Sequence, residues 1–310
     1  MILESLKVGL RRAWAAKRIL IIYYLANLFC GVVLAVPLRN LLSVKISETL
    51  LGESLGGRFD MNFFADFITN FDHFGSTWFG LVMIIPIFYL LTNVFLSGGV
   101  LSVFASEEKY STTVFWSGSA RYFGRFLRLW LMALPVFGIF FLIIFLEKGV
   151  TRLFFGADPY QSITYWAGWV RTGLMASAVM LSYIYFDYAR IYAVMHDETK
   201  MRRAWLMGLK FMFGNFAKVV LLALSMALIS VVVMLVYNVL ANQLVAANAL
   251  VVLMLFLAQQ VYIFFRMYMK LAAFAAQTTF FQTVSAASAM VATEPTAPEA
   301  TDELPEGLPA

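Results

Sequence analysis

The sequence predicts an all-α, polytopic membrane protein, a helical bundle of about six transmembrane helices, on three observations. Of its 310 residues 62% are hydrophobic and 13% charged, about half the charge of a soluble domain. Mean hydropathy is +0.80. Several apolar runs reach the roughly 20 residues that a helix needs to cross a bilayer. Hydrocarbon forces the backbone to satisfy its own hydrogen bonds, so runs this long and uniform are helices rather than barrel strands.

The first expected span runs from about Ile19 to Leu38 and the second from about Trp78 to Phe104. The third covers about Leu129 to Leu146, and the fourth Trp166 to about Tyr188. The fifth takes Val219 to about Leu240, and the sixth Ala249 to about Ala273. Charge placement supports this count. Lys7, Arg11, Arg12, Lys17 and Arg18 precede the first span; Lys109, Arg121, Arg125 and Arg128 lie between the second and third. Arg190, Lys200, Arg202, Arg203, Lys210 and Lys218 separate the fourth from the fifth, and Arg266 and Lys270 mark the end of the sixth. These 17 cations fall on one side; the other holds six, Arg39, Lys45, Arg58, Lys148, Arg152 and Arg171. Positive charge stays cytoplasmic, so both termini are expected there.

The first span reads as an uncleaved signal anchor, because it exceeds a typical signal-peptide core and no A-x-A site follows. Cys30 is the lone cysteine and reads as buried and structural. One cysteine and two histidines, His73 and His196, leave no basis for a disulfide framework, a metal site or a cofactor.

Three cytoplasmic segments resemble one another, each just before an odd-numbered span. Gly9, Gly118 and Gly208 are each followed five residues later by an aromatic (Trp14, Phe123, Phe213) and then by Ala15, Gly124 or Gly214. Leu96–Lys109 and Asp187–Lys200, the stretches before the second and third copies, also align. The pattern implies a threefold repeat of amphipathic surface helix, span, turn and returning span. Basic and apolar residues alternate in the surface segments, so one face can bury among acyl chains while Lys and Arg meet lipid phosphates. Arg121, Arg125 and Arg128 form one basic stripe, expected to face anionic lipid or a protein partner.

The domain order is therefore a cytoplasmic amphipathic helix over 1–18, a six-span domain over 19–276 and a cytoplasmic tail over 277–310. The tail is expected to be disordered from about 292, where Glu, Asp and Pro dominate. In the first outer loop Phe64, Phe67, Ile68 and Phe71 share a helical face, as an interfacial element would. Polar groups in or beside spans are the place to look for function. Asp187, Arg190 and Arg266 form the candidate polar cluster, with Asn93 and Asn238 able to bond between helices. Pro86 and Pro135 sit inside expected spans, where proline can kink a helix.

At Asp187-Tyr-Ala-Arg190, Asp197, Ala204, Gly208 and Phe213-Gly-Asn215 the chain resembles a group of bacterial multi-pass proteins of unknown function. It is also similar there to the membrane domain attached to some bacterial glycerophosphodiester phosphodiesterases. The resemblance covers roughly residues 1 to 280 and implies a bacterial inner-membrane protein with a lipid-related or envelope role. The hydrolase domain of that second family, with its His and metal-binding carboxylates, is absent, so no activity carries over.

No phosphate-binding, zinc-protease, serine-hydrolase or dinucleotide motif occurs. Nucleic-acid binding is excluded because the basic residues lie where topology already explains them. The expected role is a non-enzymatic scaffold or accessory subunit of an envelope or lipid-handling system. Its expected partners are anionic lipid headgroups and either a protein partner or a second copy of the chain. The alternative is a small transporter or permease subunit with Asp187, Arg190 and Arg266 as its site.

Overall fold

In the computed structural model the described residues are 1–46, 74–106, 111–156, 160–243 and 248–293. The expected interfacial element at Phe64–Phe71 and the acidic stretch from 294 onward lie outside them. Eight helices, and no strands, make up the described residues: α1 (Ile2–Ala15), α2 (Lys17–Ile46), α3 (Phe74–Ala105), α4 (Thr112–Phe155), α5 (Gln161–Met195), α6 (Met201–Gly214), α7 (Phe216–Gln243) and α8 (Ala249–Thr293). Four are long and apolar enough to cross a membrane, over Lys17–Pro37, Met83–Ala105, Phe216–Gln243 and Ala249–Ala287. The remaining two expected spans belong to α4 and α5. In α5 Arg171, Ser182 and several Tyr and Trp residues dilute the apolar run.

Two of the three surface segments are separate short helices. α1 ends at Ala16 and α6 at Asn215, each before the next long helix starts. The middle segment does not break. It is the first part of α4, whose 44 residues extend about 66 Å, roughly twice the thickness of a bilayer's hydrocarbon core. α8 is equally long at 45 residues and continues well past 276, with Gln277, Thr278, Phe280 and Phe281 buried. Helix α2 runs through Pro37, α3 through Pro86 and α4 through Pro135.

The core lies at one end of the bundle, where small residues let backbones touch. On α1, Ser5, Gly9 and Ala13 recur every four residues and are buried. A Cβ on Gly9 would stand 2.6 Å from Ala276 Cβ and 2.8 Å from Ala272 O, so α1 lies directly on the backbone of α8. A Cβ on Gly118 of α4 would come within 2.6 Å of Ser102 Cβ on α3. On α6 a Cβ at Gly208 would meet Ala189 Cα of α5 at 2.7 Å. Each motif glycine thus seats its helix against the end of an expected even-numbered span. Small-on-small contact of this kind is how membrane helices associate when the solvent is as apolar as their side chains.

Candidate functional site

Polar groups converge where α2, α3, α5 and α8 meet. Asp187 and Arg190 are three apart on α5, hence on one face, and form an ion pair. Gln277 Nε2 donates to Asp187 Oδ2 at 3.4 Å. Arg190 also donates from Nε to Phe186 O at 3.3 Å, and its guanidinium lies 5.6 Å from the Phe274 ring centre. One turn before Phe274, Lys270 donates to Asn93 Oδ1 of α3, and its ammonium sits 5.1 Å from the Tyr23 ring centre on α2. Lys270, Phe274 and Gln277 therefore form the inward stripe of α8.

Around this cluster the Tyr23 and Tyr188 hydroxyls and Gln277 Oε1 are buried with no bonding partner among the described residues. A buried polar atom without a partner is costly, and the close packing of this end must offset that cost. Beside it is a cavity of about 120 Å³ with Arg190, Ser97 and Trp130 in its wall. Arg266 stands apart from Asp187. It is exposed and lines a different cavity, with Lys270 and Tyr262 of α8 and Ser230 of α7. The structure thus joins two of the three expected residues and substitutes Lys270 and Gln277 for the third.

A second polar centre lies at the turn from α5 to α6. Asp197 adopts φ 46°, the left-handed conformation that normally follows a helix end on Gly or Asn. Glu198 N–H reaches back to Ala193 O at 3.0 Å, closing the end of α5. Asp tolerates this backbone better than most residues, and here its carboxylate has work that Gly could not do. It takes Arg121, Arg125 (2.8 Å) and the Tyr122 hydroxyl (3.1 Å) from α4. The Arg125 hydrogen bond, helped by Tyr122 and Arg121, holds the Asp197 carboxyl below the usual carboxylate range. Two members of the expected basic stripe therefore face an internal counter-ion, and Arg128 alone remains exposed without an ion pair among the described residues.

Arg12 makes a parallel clasp from α1. It donates to Phe104 O at 2.8 Å and to Ser106 O at 3.3 Å, closing the carbonyl end of α3, and reaches Thr279 Oγ1 of α8 at 3.4 Å. Arg12, Arg121 and Phe211 each lie three residues after a motif glycine. Arg12 caps α3, Arg121 holds the end of α5, and Phe211 packs on Phe280 and Phe281 of α8.

Sequence reasoning passed over the pair Glu147–Arg171, 3.4 Å apart between α4 and α5 at the other end of the bundle. It borders a largely apolar cavity of about 500 Å³. An acid just after the third apolar run and a base within the fourth were its signal. Among the described residues no three His, Cys, Asp or Glu side chains are grouped to hold a metal ion. No protein-family model matches the chain, and no curated protein or solved structure matches it.

Proposed function

We propose that the chain is a six-span membrane protein with both termini in the cytoplasm and no catalytic activity, a scaffold or accessory subunit of an envelope or lipid-handling system. The observation that carries this reading is the way the three motif segments are mounted. Each places a small residue against the end of a returning helix, and large apolar side chains on the same segments stay exposed: Leu3 and Trp14 on α1, Trp116 on α4, Leu206 and Phe213 on α6. Such side chains belong at the membrane–water boundary or beneath a partner. The pattern also supports three repeated units closed into a ring. The resemblance noted in the sequence and the excess of cations beside the buried end support a bacterial inner-membrane location.

The test is to cross-link membranes, purify the chain and identify what accompanies it. A stoichiometric protein partner, lost when Trp14→Ala and Phe213→Ala are combined in a protein that still folds, supports the accessory-subunit reading. Its absence, together with solute flux that depends on Arg190, overturns it in favour of transport. One observation favours that second reading: the cavity whose wall holds Arg190 and Ser97.

A further inference from the structure

We propose that the groove between α7 and α8 is a specific site for one anionic phospholipid, with the headgroup phosphate on Arg266. The groove, of about 330 Å³, is lined on α7 by Met226, Ser230 and Met234 and on α8 by Tyr262, Arg266 and Lys270. Two features select this occupant. Arg266 and Lys270 are one helical turn apart on the same face, and no acidic side chain lines the groove. Its charge is therefore wholly positive. The remainder is apolar and flexible, and methionine adapts to an acyl chain of any conformation.

The two cations differ in what they are free to do. Lys270 is half-buried and its ammonium is drawn to Asn93 Oδ1. Arg266 is exposed and makes no ion pair among the described residues, in a helix apolar enough to cross a membrane. A guanidinium on the lipid face is costly unless an anion meets it, and its planar fork suits a phosphate. Lys270 adds local positive potential. Basic recesses between membrane helices on the cytoplasmic side are the usual seat of anionic headgroups.

This rests on the orientation proposed above, which puts Arg266 and Lys270 at the inner leaflet. The test is native mass spectrometry of the full chain released from bilayers containing phosphatidylglycerol and phosphatidylcholine. The expected result is one retained phosphatidylglycerol in preference to phosphatidylcholine. Arg266→Gln should lower its occupancy about fivefold, the value of one basic residue near the surface. Ala227→Trp, which fills the groove without altering charge, should lower it as well, and Lys148→Gln, at the other end of the bundle, should leave it unchanged.

Equal retention by the wild type and both groove variants overturns the proposal, and so does a dimer that holds no lipid in the groove. Inorganic phosphate that competes for the site at equal affinity would show that the acyl chains are not recognised, which also overturns it. Labelling of Arg266→Cys from outside the cell would instead remove the orientation itself. The two failures are thereby distinguished.

Discussion

The two ends of this bundle are built by opposite rules. At one end Leu20, Phe115, Tyr188 and Leu271 are essentially inaccessible, small residues bring backbones together, and Arg12, Arg125 and Lys270 tie helices through hydrogen bonds. At the other end Phe145, Leu153 and Phe154 are 70%, 80% and 73% exposed. Water would punish such a surface, whereas lipid solvates it. Hence one chain can close a tight core at one end and leave its other half open. The protein's own packing is needed only where lipid does not supply it.

Glycines sharpen this contrast most. Gly9→Val must push the α8 backbone away from α1 and should destabilise by about 3 kcal/mol, read as a large fall in thermal midpoint in detergent. Gly138→Val, where nothing lies within 4 Å of the added Cβ, should leave the midpoint nearly unchanged. Equal losses at both sites would break the comparison.

Arg12→Gln comes next. It removes the charged donor on Phe104 O and Ser106 O and should cost about 2 kcal/mol. Proteolytic nicking should then concentrate near 106.

A smaller effect is expected at Asp197. Its carboxyl titrates lower in the folded protein than in the unfolded chain because Arg125 bonds the ionised form. That contribution is fully present above the ordinary carboxylate pKa and is lost as pH falls through the lowered folded value. Asp197→Asn should therefore reduce the midpoint at pH 7 and flatten its decline in acid. Because the side chain is half exposed, about 1 kcal/mol or less is expected. An unchanged acid limb in the variant would remove the clasp from the account. Least of all should Leu153→Ala matter, within about 0.5 kcal/mol.

Hydropathy and charge made the helical class, the long apolar helices and the two free-standing surface helices legible, because these depend on local periodicity. The pairing of Asp187 with Arg190 was legible for the same reason, being three apart on one helix. What escaped depended on contacts distant in sequence. Nothing near Asp197 announces that Arg121 and Arg125 would reach it from another helix. Arg266 looked close to Asp187 by depth alone, but it is Lys270 and Gln277 on the same helix that turn inward. The continuity of α4 was hidden because the middle motif resembles its neighbours, yet it has no break equivalent to Ala16 or Asn215. Residues 277–293 read as tail because Gln, Thr and Ser dilute them, but Phe280 and Phe281 anchor that stretch to Phe211 and Tyr192.

The proposed topology puts the buried end in the cytoplasm and carries α4 and α5 across the membrane with the four more apolar helices. In a Cys30→Ala background, single cysteines at Glu4, Ser162, Lys200 and Asn248, all exposed, can be labelled in whole cells with a membrane-impermeant maleimide. The account predicts labelling of Ser162→Cys and Asn248→Cys, and protection of Glu4→Cys and Lys200→Cys until the membrane is opened. Labelling of Ser162→Cys and Lys200→Cys from the same side would show that α5 does not cross, and would contradict it.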